Sequence, residues 1–206
     1  MLSVPHVAGT DLALSTALGV GLAAAVGLRV FLPMLVLSIA AHTGHVPLSS
    51  GFAWLAGDPA LIMLSVTALL EVLAYYIPGV DNLLDTLATP AALICGTLVC
   101  AAVMSDLPPM VKWSTAVIAG GGAAGLTQGL TSLLRAKSTL LSGGLGNHIL
   151  STFELCGALT LALLALCAPL AALALVALFA WFAVRLMRRL LRAQQRAAAD
   201  ARPGPG

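Results

Sequence analysis

The run "LALSTALGVGLAAAVGLRVFLPMLVLSIAA", residues 12–41, decides what kind of molecule this chain makes. It is apolar almost throughout. At 1.5 Å per residue it would reach roughly 45 Å, too far for one straight crossing of a ~30 Å hydrocarbon core. "GLRVFLP" (27–33) interrupts it with Gly27, Arg29 and Pro33, so it reads as a kinked or broken helix.

Composition says what surrounds that helix. Hydrophobic residues make up 60% of the 206, charged residues 9%, and mean hydropathy is +1.02. A soluble domain carries roughly 25% charge, so this chain cannot clothe itself for water. It reads as an integral membrane protein, one membrane domain over 1–206. At about 20 apolar residues per crossing, the length allows six or seven spans. The first apolar run lacks a basic leader and opens with Asp11, so no cleaved signal is expected. Cys95, Cys100, Cys156 and Cys167 lie in apolar runs without metal-ligand spacing and read as small buried hydrophobes.

Outward from the first run, Asp58-Pro59 is a good helix start, and the second span runs from about Pro59 to Ile77. "VDNLLDTLA" (80–88) makes a short amphipathic helix before a short third span, Pro90 to Val103. The fourth span, Val111 to Leu134, is centred on "AGGGAAGLTQGLTS", where helices approach closely or break. A polar loop, "RAKSTLLSGGLGN", leads to the fifth span, His148 to Cys167, and Pro169 opens the sixth. Of the ten Lys+Arg, six fall between Arg185 and Arg202. The positive-inside rule then puts both termini of a six-span chain in the cytoplasm, with Arg135 and Lys137 in an inside loop. Residues 192–206 read as a basic, disordered tail that touches anionic lipid and not nucleic acid.

The halves resemble each other. "VGLRVFLPML" (26–35) aligns with "AGLTQGLTSL" (124–133), and "AGDPALI" (56–62) with "LGNHILS" (145–151). Three spans per half, 12–104 and 111–191, would make the repeats inverted. The expected fold is therefore an all-α bundle of about six transmembrane helices, as two inverted three-helix repeats with broken helices. In transporters that pattern places the site at the breaks.

Charge inside a bilayer costs at least ~2.5 kcal/mol per residue, so intramembrane polar residues pair or line a path. Arg29, Glu71, Gln128 and Glu154 stand inside apolar spans, with Asn147, His148 and Ser151 just ahead of Glu154. Inverting the halves brings them together. Glu71 and Glu154 read as paired acids for a cation or proton, Arg29 as counter-ion or anion contact, and Gln128 and Asn147 as neutral ligands. The opposing reading has Arg29 paired with Glu71 or Glu154 only to neutralise charge and pin helices. Asp81 and Asp85, four apart on one helix face, are secondary candidates at the cytoplasmic surface.

Catalytic patterns are lacking. "GGGAAG" has no Lys-Ser/Thr after it, and neither HExxH nor GxSxG occurs. His148 and Ser151 share a helix face without the further partner that an activated serine needs. No enzyme activity, cofactor or metal is expected, although Asp81, Asp85 and Glu71 could in principle hold Mg²⁺ against a lipid phosphate.

"GLRVFLPML", "LLEVLAYYIPGVDNLLDTLATPAALICG" and "GLTQGLTSLLRAKSTLLSGGLGNHILSTFELCGAL" resemble the bacterial membrane family called domain of unknown function 4126. The likeness covers about residues 15–170 and is clear at Glu71, Pro78, Asp81, Arg135, Asn147, Ser151 and Glu154. The family's Asp-Lys before "IP" is Tyr75-Tyr76 here, its Asn-Pro is Asn147-His148 and its Glu-Asp is Glu154-Leu155. The resemblance implies a small polytopic inner-membrane protein and brings no activity with it.

The expectation is a small transporter or channel-like protein for a small solute or ion, in the bacterial inner membrane. A homo-oligomer is expected, because so small a bundle has little interior in which to hide a pathway. Two other readings remain open: a non-transporting scaffold or lipid-handling module, and a membrane enzyme acting on a lipid phosphate.

Overall fold

A computed structural model describes the backbone of residues 5–77, 80–105, 107–142 and 145–200. It describes their side chains except those of 5–11, 80–83, 85, 141–142, 145, 186–187 and 190–200. The described residues are helical, in the order α1 (Pro5–Val26), α2 (Phe31–His42), α3 (Asp58–Ala74), α4 (Val80–Ala102), α5 (Pro109–Thr115), α6 (Gly122–Ser142), α7 (Leu145–Cys167) and α8 (Pro169–Asp200). A 3₁₀ turn, Ser50–Ala56, precedes α3, and a π-helical stretch, Ala116–Gly121, joins α5 to α6.

Small residues put α1 at the centre. Every residue from Gly19 to Gly27 is buried, and with Cβ atoms this small the neighbouring backbones close in. A Cβ on Gly19 would lie 2.9 Å from Cys100 Sγ of α4, and one on Gly21 would lie 2.9 Å from Ala165 of α7 and 3.1 Å from Ala172 of α8. At Gly27 a Cβ would fall 1.7 Å from Thr127 Oγ1 and 2.3 Å from the Ala124 carbonyl of α6, so only glycine fits. Thr127 Oγ1 donates to the Ala24 carbonyl at 2.9 Å across the same crossing.

These contacts also fix direction. Ser49 N–H donates to the Ala102 carbonyl, and Lys112 Nζ donates to Ser49 Oγ, so the α2–α3 connection and the α4–α5 junction share one end, here called upper. Residue 19 lies level with the upper end of α4, whereas residues 27–29 lie level with Thr127, Gly157 and Ser151. Hence α1 runs downward. α2 runs back up, because Val30 and Phe31 meet Glu71 at the lower end of α3 while Ser38 and His42 meet Leu55 and Ala56. The four-residue break at 27–30 is thus the tip of a helical hairpin. It lies inside the bundle, about 9 Å along α7 from its start at six residues of 1.5 Å rise.

Sequence and structure diverge here. A kinked single crossing would put both ends of the chain on one side. The hairpin makes α1 and α8 parallel instead, so the start of α1 and the end of α8 lie at opposite ends of the bundle. The glycine-rich fourth segment bulges into π geometry without breaking, which brings Gly120 against Gly96 of α4. The third helix begins at Val80 and carries Pro90 inside it, where separate helices were expected. α6 continues to Ser142 through most of the expected polar loop, and α8 continues to Asp200 through the start of the expected tail.

Apolar side chains cover the outside as well as the core. Ile62, Met63, Val66, Leu69, Leu70 and Leu73 are all exposed on one side of α3. Such a surface belongs against lipid. By length and composition 109–140 and 146–167 can each cross a membrane, and the pair Ser50–Ala56 and Asp58–Ala74, bent by 66°, makes either a third, broken span or a re-entrant loop. The four cysteines are free; Cys100 is buried, but Cys156 and Cys167 face outward, against the expectation that all are core residues.

Gly27→Ala tests the hairpin. Overpacking against Thr127 and Ala124 should cost about 2 kcal/mol or more, visible as a lowered unfolding temperature in detergent. Gly129→Ala, on the same α6 helix with nothing within 4 Å, should leave that temperature unchanged or raise it.

Candidate functional site

The hairpin tip leaves the first amides of α2 without helical acceptors, far from water. Glu71 supplies them. Its Oε1 accepts from Val30 N–H at 2.7 Å and its Oε2 from Phe31 N–H at 3.0 Å. A carboxylate at a helix N-terminus also meets the positive end of the dipole. Glu71 can do this because α3 is antiparallel to α2, and it falls on the buried stripe Ala60, Leu64, Ala68, Glu71.

One turn beyond Glu71, at the C-cap of α3, the buried Tyr75 ring lies under two guanidinium groups. Arg29 Cζ is 3.8 Å and Arg135 Cζ 4.2 Å from the ring centroid. Such stacking is worth ~2 kcal/mol or more where the cation is desolvated. Glu154 on α7 joins the same two cations. Arg135 Nε donates to Glu154 Oε1 at 3.1 Å and Arg135 Nη2 donates to Oε2, while Arg29 Nη2 stands 3.7 Å from Oε2. Arg29 Nη2 also donates to the Ser151 carbonyl at 3.0 Å. Arg29, Arg135 and Glu154 are each less than 5% exposed.

Other predicted residues take more peripheral places. Asn147 is buried, and its Nδ2 donates to Thr139 Oγ1 at 3.1 Å. Asn147, Ser151 and Glu154 share one face of α7 at helical spacing. Ser151 Oγ is buried and has no hydrogen-bond partner among the described residues. His148 Nε2 lies 3.3 Å from the Tyr76 carbonyl, and Tyr76 Oη lies 2.9 Å from Thr152 Oγ1, which ties the end of α3 to α7. Gln128 is buried, and its Nε2 donates to Ser132 Oγ at 3.3 Å within α6. The side chains of Asp81 and Asp85 lie outside the described residues.

Glu71 and Glu154 therefore flank Arg29 and do not form an acid pair: one holds backbone, the other holds arginine. The sequence reading missed Arg135 and Tyr75. Lys137 and the polar run that follows make Arg135 read as a loop residue in the sequence. The available signal was spacing, since Arg135 lies two helical turns beyond Gln128 on a helix that need not end at Leu134. Among the described residues no group of three or more His, Cys, Asp or Glu could hold a metal.

Two hollows flank the tip. One, about 210 Å³, is apolar and lies among Leu28, Thr127, Gly157 and Phe179. The other, about 360 Å³, is an open crevice between α3 and α4, lined by Phe31, Leu70, Glu71, Tyr75, Leu87 and Ala91 among others.

The chain belongs to the family described as domain of unknown function DUF4126, whose model matches residues 16–189. The Glu71, Arg29, Arg135 and Glu154 cluster falls wholly within that stretch. No curated protein and no solved structure matches the chain.

Buried pairs are costly to break from one side. Glu154→Ala should cost about 3–5 kcal/mol, because two guanidiniums lose their carboxylate. Arg135→Met combined with Glu154→Leu should recover part of that loss, and a double-mutant cycle by thermal unfolding would show the coupling.

Proposed function

We propose that this protein moves a small solute or ion across the bacterial inner membrane, using the hairpin tip as its site. The observation that carries this reading is the helix N-terminus of α2, ending inside the bundle and closed by the Glu71 carboxylate. Broken helices whose ends meet polar groups at depth are the way transporter folds build ion and substrate sites.

Glu71 supplies the responsive part. As a carboxylate it accepts both amides; after protonation, or after capture of a cation, one oxygen is engaged elsewhere and the cap on α2 weakens. Arg29, the chain neighbour of the capped Val30, keeps its contacts with Glu154, Tyr75 and the Ser151 carbonyl. Arg135 and Tyr75 hold the position of Glu154 and Arg29 in either state.

Helix direction supports an inverted repeat. α2, α3 and α4 run up, down, up, and α6, α7 and α8 run down, up, down, with α1 as an additional central helix. The matched stretches around Gly27 and Gly125 meet at the Gly27–Thr127 crossing. Arg185, Arg188 and Arg189 at the lower end of α8 make that end the cytoplasmic one under the positive-inside rule. α1 then starts on the opposite side. A second copy of the chain would complete a pathway too long for one small bundle.

A lipid-handling role is the second reading, favoured by the lateral opening of the α3–α4 crevice.

Flux in proteoliposomes decides between them. Glu71→Gln keeps one acceptor for the α2 amides, so the protein should stay folded while ion or solute flux falls at least tenfold. Full flux in a folded Glu71→Gln protein would overturn the role given to this acid.

A further inference from the structure

The geometry points to an oxyanion carried on a hydrocarbon chain as the ligand of this site, with Glu154 standing in for its head group. This deepens the transport reading and rests on it.

Arg135 grips Glu154 with a fork, Nε to one oxygen and Nη2 to the other, while Arg29 approaches the second oxygen at 3.7 Å. That is the way a guanidinium pair recognises a free carboxylate or a phosphate monoester. The surrounding groups add donors. Ser151, one turn before Glu154 on the same face, has a buried hydroxyl with no partner among the described residues, and its own carbonyl touches Arg29. A bare helix-pinning salt bridge would have no use for a polar atom there, because a buried unmatched hydroxyl costs roughly 1–3 kcal/mol. A ligand oxygen that displaces the Glu154 carboxylate would satisfy it.

The route in gives the ligand its second half. Tyr75 stacks on both guanidiniums and also lines the α3–α4 crevice, so its ring is the partition between them. The crevice opens sideways: its rim residues Leu70 and Leu87 are among the exposed apolar side chains that face lipid. About 360 Å³ would hold roughly a dozen waters, yet walls of this kind stay dry or take up hydrocarbon. Glu71 also lines the crevice, and its negative charge is spread onto the amides of Val30 and Phe31, which lowers the like-charge barrier to an arriving anion. A chain in the crevice and a head group behind Tyr75 use both features together.

The test is equilibrium binding to purified protein in nanodiscs, with empty discs as blank. The probes are dodecyl phosphate and dodecanoate, compared with inorganic phosphate and acetate. Dodecyl phosphate should bind above the blank and at least tenfold more tightly than inorganic phosphate. Arg135→Lys, which keeps the charge and loses the fork, should weaken it about tenfold. Ser151→Ala should weaken it several-fold, and Leu87→Trp, which fills the crevice, should weaken the chain-bearing probes alone. If Arg135→Lys fails to fold, the Ser151 and Leu87 variants decide. Binding no better than the blank, binding unchanged in both those variants, or inorganic phosphate binding as tightly as dodecyl phosphate would each overturn the inference. Glu71-dependent flux of an ion with no chain-bearing ligand bound would remove this inference alone. Intact binding with no flux would remove the transport reading and leave the site standing.

Discussion

A helix that starts inside a packed bundle must find acceptors for its first amides, and everything at the lower end of this bundle follows from that need. Each amide buried there without an acceptor would cost roughly 1–3 kcal/mol. The carboxylate of Glu71 settles two amides of α2 at once. To do so α3 must run antiparallel to α2 and end close beside the tip. That ending carries Tyr75 into the core and Tyr76 onto α7. The tip also carries Arg29 into the interior, where Gly27, Arg29 and Val30 are all buried.

Arg29 creates the second requirement. A buried guanidinium needs both charge and planar contact; Glu71 is taken up by backbone amides, and Asp58, the other acid of α3, stands at its far end. α7 supplies the charge through Glu154, and α3 supplies the plane through Tyr75. Arg135 then lets one carboxylate and one ring serve two cations. The Tyr75 ring face attracts both cations by its quadrupole without adding a further buried charge.

The sequence made the bundle legible, and the charged residues too, for a simple reason: an ionisable residue in an apolar run is expensive and therefore stands out. Glu71, Arg29 and Glu154 were visible on those grounds, and the start of α3 at Asp58 followed from Asp-Pro. Path was harder to read. A Gly-Arg-Pro interruption marks where α1 ends, but kink and reversal share the same residues. What separates them is the contact of Gly19 with α4 and of Gly27 with α6, and no local pattern encodes that. Arg135 was hidden by the opposite effect. A basic residue near Lys137 and a polar run looks like a loop charge, and only the unbroken α6 helix turns it inward. The glycine run misled in kind: small residues allow either a break or close approach, and here α4 arrives to use the second.

The two ends of α3 are held by different forces. At the upper end Ser38 and His42 of α2 hold the carbonyls just before it, and the 3₁₀ turn packs Phe52 and Leu55 into the core. At the lower end the bonds are to Glu71, Tyr75 and Tyr76, which depend on charge, ring position and one hydroxyl pair. Between those ends α3 touches α4 little, which leaves the crevice. Segments with few apolar contacts open at the lowest cost. A change in charge at Glu71 therefore acts beside the α4-facing side of α3, which packs little, and the Tyr75 partition sits one turn further on. Packing in α1 and α6 holds the frame, while α3 rests on α2 through Ala60, Leu64 and Ala68 and is fixed at its lower end by charge and hydrogen bonds.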